Sequence, residues 1–353
     1  MKKILLVSNH VFHYRQKLYN YFQKKFNEDG YELYVLSNSF QEVDFSTEYK
    51  KYETKMSITN YVKLLDEIKP DVVILFLHLK DYVMLPLIYS CKIKKIPVIY
   101  WNHGINIKTP ESKIKNALFY FIHSCCDALI TYTPEMKKYF SEKSQRKLFV
   151  AYNTIDLSDI DKNEICNPSE CKSKYGIKEK NVILYVSRLK TYKRPELLIE
   201  LFGGMEDIAV VLVGPDETDE FLMKVSAFDN VYYLGEKYGI EVDEIYKMAD
   251  IFSTPGHIGL ALNQAMFWGV PVVLLEGIHA PEIYYLKDNI TGKIAVNEEV
   301  LKEYVLALLN DKEQLESMSA AALDVYEKEI SIDRMYEGFK EAIKYCEGNY
   351  TNK

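Results

Sequence analysis

The sequence predicts an α/β protein built from two doubly wound parallel-sheet domains, and three observations lead there. The chain has 353 residues, more than one domain usually takes. Apolar runs of strand length alternate with helically spaced apolar positions, and the alternation starts twice. Between the two series, residues 152–180 are polar and poor in long apolar runs, which marks a domain boundary.

In the first half, ILLVS at 4–8 is a strand, and Leu18, Tyr21, Phe22 and Phe26 have the spacing of a helix. The start, MKKILLVSNH, looks like a signal peptide only superficially, since its apolar run stops early and no cleavage site follows. YELYVLS at 31–37 alternates into a second strand, and a polar stretch leads to a helix at 58–68 ended by Pro70. DVVILFL at 71–77 is apolar throughout, as expected where both faces of a parallel sheet are covered. Helices at 81–94, 111–126 and 134–144 then alternate with strands at 98–101, 128–132 and 148–151.

In the second half, strands at 181–187, 208–214, 231–235, 251–254 and 272–275 alternate with helices at 194–203, 217–227 and 241–249. The stretch 253–273, STPGHIGLALNQAMFWGVPVV, reads as a strand end, a glycine-containing loop and a helix of about a dozen residues. The first turn of that helix would offer N–H groups to a phosphate or a sugar hydroxyl. Helices at 297–310 and 312–327 end this half, and a terminal helix lies within 333–353.

Composition narrows the class. Hydrophobic content of 48% and charged content of 27% are those of a soluble globular protein. No run of about 18 apolar residues occurs, which argues against a membrane span and for a cytoplasmic protein. The cysteines Cys91, Cys125, Cys126, Cys166, Cys171 and Cys346 include no C-x-x-C pair and read as free thiols. The His residues never fall at spacings such as H-x-x-x-H or alongside paired Cys, so neither a metal nor another cofactor is expected. Residues 1–153 carry a net charge of +8 and residues 154–353 one of −15. The basic half suits an anionic substrate or surface, unless the asymmetry is compositional drift. Scattered lysines without a recognition motif argue against nucleic acid.

Arg188 and Lys193 stand just past the strand 181–187, before a helix opened by Pro195. Two cations there can neutralise a diphosphate leaving group, or can be solvated surface charges. The string they belong to, YVSRLKTYKRPELLIELF, resembles the R-x-x-x-x-K segment of family 4 glycosyltransferases of the GT-B fold. VLVGPD (211–216), VYYLG (231–235), ADIFSTP (249–255) leading into GLALNQAMFWGVPVV, and APEIYYLKDNITGKI (280–294) resemble further landmarks in the same order. ITYTPEMKKYF (130–140) and AYNTID (151–156) resemble landmarks of the first half, so the resemblance spans essentially the whole chain.

The resemblance implies an acceptor-binding domain at 1–153, a linker at 154–180 and a nucleotide-sugar-binding domain at 181–332. It implies that these face across a cleft, with 333–353 returning to the first domain. Ligands of such sheets bind beyond the C-terminal strand ends. The implied reaction moves a sugar, with retention, from a nucleotide diphosphate to a hydroxyl, without metal. Arg188 and Lys193 would stabilise the departing diphosphate, and Gly214, His257, Ile258, Gly259 and Leu260 would line the donor side. The family pattern has two Glu separated by seven residues, the first near the donor sugar and the second on the ribose. Here those positions are Gly256 and Gln264. Gln264 can still hydrogen-bond ribose through a neutral amide, whereas any role at 256 passes to His257, to backbone N–H groups or to nothing. Glu282 would support the loop or the ribose, or simply be an acid at a helix start.

Family members place a His near the donor sugar at about the position of His103. Asn102, His13, Tyr14 and Arg15 are the acceptor-side candidates, with Arg15 suited to an acceptor's phosphate. Residues 113–126, with Lys113, Lys115 and a broad aromatic face, fit either an anionic membrane interface or a buried helix. The expected partners are therefore a nucleotide-sugar donor, a glycan or lipid-linked acceptor of polysaccharide biosynthesis, and an anionic membrane at its cytoplasmic face. A sugar-nucleotide 2-epimerase of the same fold and a non-catalytic nucleotide-sugar-binding partner of another transferase are the alternatives.

Overall fold

The computed structural model describes residues 1–107, 109–215 and 217–351. Lys108 within YWNHGINIKT, Asp216 at the end of VLVGPD, and residues 352–353 of the terminal segment lie outside the described residues. The chain divides into two units, one of Met1–Ser158 with Ser331–Lys353 and one of Asp159–Ile330. No helix among the described residues is long and apolar enough to cross a membrane.

The first unit opens with β1 (Lys2–Ser8), α1 (His13–Glu28), β2 (Tyr31–Ser37), β3 (Lys50–Glu53) and α2 (Ile58–Ile68). It continues through β4 (Val72–Phe76), α3 (Met84–Ile93), β5 (Val98–Trp101) and α4 (Lys113–Cys125). The segment closes with β6 (Ala128–Thr131), α5 (Glu142–Gln145) and β7 (Leu148–Val150). All seven strands are parallel, in the order β3-β2-β1-β4-β5-β6-β7. The order reverses between β1 and β4, where Ile4–Ser8 pair with Val72–Phe76.

The second unit contains α6 (Pro168–Lys174), β8 (Asn181–Val186), α7 (Pro195–Phe202), β9 (Ile208–Val213), α8 (Asp219–Val225) and β10 (Val231–Tyr233). Then come α9 (Ile240–Lys247), β11 (Ile251–Phe252), α10 (Ala261–Phe267) and β12 (Val272–Leu275). It ends with β13 (Gly292–Ala295), α11 (Glu298–Asn310) and α12 (Lys312–Val325). Its sheet, also parallel, runs β10-β9-β8-β11-β12-β13 and reverses between β8 and β11. The last helix, α13 (Ile332–Thr351), belongs to the first unit. Its Met335, Tyr336, Phe339 and Ile343 share a core with Leu18, Phe22 and Trp101. The other face of that sheet buries Tyr61, Leu65, Leu87, Ile88 and Ile122 from α2, α3 and α4.

Several elements differ from expectation for local reasons. β3, KKYE, is a polar edge strand with no apolar pattern to announce it. The helix expected at 134–144 is a 3₁₀ turn, Pro134–Tyr139, followed by α5. Phe140 leaves the helical path to enter the core, and the Ser141 side chain caps a new turn at the Ser144 N–H. The helix of 253–273 takes seven residues rather than a dozen.

The expected linker 154–180 holds α6, whose Asn167 and Glu170 form a capping box. Contrary to the expectation of free thiols, Cys166 and Cys171 are joined by a disulfide. These residues precede the cap by one and follow it by four, places that a helix start brings together. Their spacing becomes meaningful only once that start is known.

Candidate active site

The switch point of the second sheet lies where β8 and β11 end side by side, and most of the expected donor residues gather there. Lys193 sits in the 3₁₀ turn Thr191–Lys193 after β8 and is 8% exposed. Its Nζ donates to the carbonyl oxygen of His257 at 2.8 Å. Gly256 N–H donates to Lys193 O at 3.0 Å, and His257 N–H to Tyr192 O at 3.3 Å. Burial, helped by the nearby Arg188 guanidinium, lowers the Lys193 ammonium to about 8. Arg188 itself is exposed. Gly214, at φ +140°, closes the same corner, since a Cβ there would lie 2.0 Å from Ser187 O.

The loop 257–260 is held from β12's side. Ala280 N–H donates to Ile258 O at 3.0 Å, and His257 Nδ1 lies 2.9 Å from Ile278 O. Ile258 N–H donates to His279 Nδ1 at 3.3 Å, and the other ring nitrogen of His279 faces Leu275 O at 2.9 Å. This pattern requires neutral His279 with the proton on Nε2, and burial accordingly lowers its pKa. Glu282, in the 3₁₀ turn Pro281–Tyr285, is buried. On α10 the Gln264 Nε2 donates to Asp243 Oδ1 at 3.0 Å, and Trp268 Nε1 donates to the same oxygen at 3.0 Å. Sequence reasoning missed His279, Asp243 and Trp268. No local pattern marks them, because each matters through a partner on another element.

In the first unit His103 follows β5, and its ring lies over Tyr132 with centroids 4.1 Å apart. Burial, with lesser contributions from His78 and Arg15, pushes the imidazole down to about 4, so it is neutral at physiological pH. Asn102 was expected to meet an acceptor, but its amide is engaged in the turn. Oδ1 accepts from Gly104 N–H at 2.7 Å and faces His123 Nε2 at 3.0 Å, and Nδ2 donates to Tyr100 O at 3.1 Å.

Arg15, expected to reach an acceptor's phosphate, is instead 4% exposed. Its guanidinium lies 4.5 Å from the Trp101 ring centre and donates to Asn153 Oδ1 at 3.1 Å, while Nε and Nη1 have no hydrogen-bond partner. The apolar strand ends around β1, β4 and β5 draw its planar, weakly hydrated charge inward over aromatic faces. Tyr14 and His13 are half-buried, with His13 Nδ1 3.2 Å from Gln41 Oε1.

Two all-parallel, doubly wound sheets, one with buried and exposed cations at its switch point, constitute the GT-B architecture of nucleotide-sugar enzymes. An Anabaena protein, HepE, solved with UDP and with UDP-glucose, has this fold, with a TM-score of 0.76 and 14% identity for the UDP complex. That match covers 98% of this chain and 100% of the Anabaena chain. Residues 169–325 match the family of glycosyl transferases group 1, and residues 23–159 match glycosyltransferase family 4. The chain belongs to these glycosyltransferases. An uncharacterized glycosyltransferase of Methanocaldococcus jannaschii is 25% identical over 227 residues, which is 56% of this chain and 57% of that protein. The D-inositol 3-phosphate glycosyltransferase of Mycobacteroides abscessus is 23% identical over 128 residues, 33% of this chain and 29% of its own length. The chain thus spans just over half of the first curated relative and under a third of the second.

Proposed function

We propose that this chain transfers a glycosyl group, with retention and without metal, from a nucleoside diphosphate sugar to a hydroxyl of a glycan or lipid-linked acceptor. The Lys193–His257 contact carries the reading, because it fixes a buried ammonium on the loop after β11, near the exposed Arg188. As the acceptor oxygen bonds to the anomeric carbon, the bond to the diphosphate breaks and a phosphate oxygen takes the acceptor's proton. Arg188 and Lys193 stabilise the charge left on the diphosphate, which is the work a metal would otherwise do. Gly214, loop 257–260, Gln264 and Glu282 shape the donor side. Neutral His103 hydrogen-bonds the sugar or orients the acceptor. Arg15 keeps a positive charge near that histidine, Asn102 braces the turn at Gly104 that follows it, and His13 and Tyr14 meet the acceptor.

An anionic lipid surface at the inner face of the cell membrane is the proposed place of work. Ile114, Leu118 and Phe121 of α4 are exposed beside Lys113 and Lys115, as are Leu85, Tyr89 and Ile93 of α3. Both helices cover the same sheet face, because the crossovers from β4 to β5 to β6 run in one direction. Such apolar faces flanked by lysines favour anionic headgroups. Thermal-shift titration with UDP-, GDP-, ADP- and CMP-sugars tests the donor assignment, since a ligand of the folded state raises apparent stability. One donor class should raise the melting temperature, and Arg188→Ala should abolish that rise. An unchanged rise in this variant refutes the diphosphate assignment.

A further inference from the structure

We infer that Asp243 and Gln264 together stand in for a single ribose-binding carboxylate, with Asp243 holding the Gln264 amide so that its oxygen accepts hydrogen bonds from the donor's ribose hydroxyls. The inference rests on the proposed placing of Gln264 at the ribose. It adds a positioning residue, Asp243, and a specificity for ribose over deoxyribose.

The argument begins with what each group can do. An ionised carboxylate only accepts hydrogen bonds, so the 3.0 Å contact to Asp243 Oδ1 must be made by the NH₂ of Gln264. That assigns the amide's orientation from chemistry, which coordinates alone seldom do. Trp268 Nε1 donates to the same oxygen at 3.0 Å, and Asp243 is 3% exposed. Two donors from α10 and its C-terminal end thus converge on one buried acid of α9, which satisfies a group otherwise costly to bury. Gln264 is only half-buried, and its Oε1 is left for a ligand.

The ribose therefore meets an oxygen acceptor, as it would from a Glu. The negative charge, however, sits behind that oxygen on Asp243 instead of at position 264. A ribose hydroxyl can donate to Oε1, and a deoxyribose lacks that donor. A Glu at 264 would set two carboxylates about 3 Å apart, and two acids that close cannot both ionise near neutrality.

Calorimetric titration of the full chain tests the pair, using UDP, GDP and ADP, each beside its 2′-deoxy and 3′-deoxy counterparts. Wild type should bind one ribonucleotide about tenfold more tightly than its deoxy forms. Gln264→Glu should lose about tenfold in affinity for that ribonucleotide together with the discrimination. Asp243→Ala should likewise lose both, whereas Asp243→Asn, whose Oδ1 can still accept from Trp268 and Gln264, should keep them. Q264E binding as well as wild type overturns the pairing. So does a D243A that melts like wild type and still discriminates ribonucleotide from its deoxy forms as wild type does. A wild type that binds ribo- and deoxynucleotide equally well overturns the ribose assignment beneath the inference.

Discussion

A Cβ placed on Gly256 would lie 2.2 Å from the backbone carbonyl oxygen of Tyr192 and 2.7 Å from the Lys193 Cα. The loops after β8 and β11 therefore interlock where the family resemblance places its first Glu, and the missing side chain is a packing requirement of this chain. Neither partner atom is the tip of a flexible side chain, so relief would need a backbone shift.

Gly256→Ala should accordingly destabilise the protein by about 1–3 kcal/mol, the usual cost of forcing atoms into a filled site. It should weaken donor binding as well, and Gly256→Glu should fail to raise activity despite restoring the family residue. Calorimetric melting and donor titration measure both effects. An alanine variant as stable and as active as wild type refutes the interlock.

Lys193 gives the donor site a pH signature. In the free protein its ammonium titrates near about 8 instead of 10.5, and an adjacent diphosphate favours the charged form. Donor affinity should fall as pH rises through about 8, and binding at about pH 8.5 should take up protons. Titration in two buffers of different ionisation enthalpy reads that uptake, and Lys193→Met should remove it. Stability has the opposite sign. The unfolded chain binds the additional proton between about 8 and 10.5, so ligand-free stability should rise with pH across that window in wild type. In the Met variant this contribution is lost.

The first unit should be labile in acid. Burial holds His103 down to about 4 and His123 to about 3, against 6.5 for an ordinary imidazole. Both folded-state values are depressed, so unfolding binds protons and stability falls as pH drops from about 6.5 toward 4. Melting curves across that range check it, with His103→Gln and His123→Gln each expected to flatten the decline. Arg15→Met should raise the His103 pKa, because the guanidinium is one of the charges that lowers it. An NMR titration of the imidazole that does not move in this variant removes Arg15 from that role.

Vesicle sedimentation tests the lipid surface. The chain should bind vesicles containing anionic lipid, bind neutral vesicles weakly, and dissociate as salt screens the lysines. I114D/F121D, on exposed positions of α4, should lose this binding while its soluble donor affinity is unchanged. Equal retention by both vesicle types refutes the electrostatic part of the assignment.

The central strands were legible in the sequence because strands covered on both faces are continuous apolar runs, as at 71–77 and 208–214. β3 was not, because an edge strand with polar side chains carries no such run. Arg188 and Lys193 could be found from their place after a strand, since the C-terminal end of β8 fixes where they stand. Arg15 and Asn102 were chosen for their chemistry, but residue type does not say whether a side chain turns toward solvent or over Trp101. Asp243 lies 21 residues from Gln264, and the pairing exists only because α9 and α10 come together.

The first unit is closed by residues that the ribosome makes after the second. Met335, Tyr336, Phe339 and Ile343 complete the core begun by Leu18 and Phe22, whereas the second unit is one uninterrupted stretch, Asp159–Ile330. In a folding intermediate whose α13 has not docked, the second unit has all of its chain, while the first sheet waits with one apolar face uncovered. Such surface on a waiting intermediate is where aggregation and chaperone capture begin. A released chain truncated after Ile330 should therefore display a protease-resistant second unit and a digestible first.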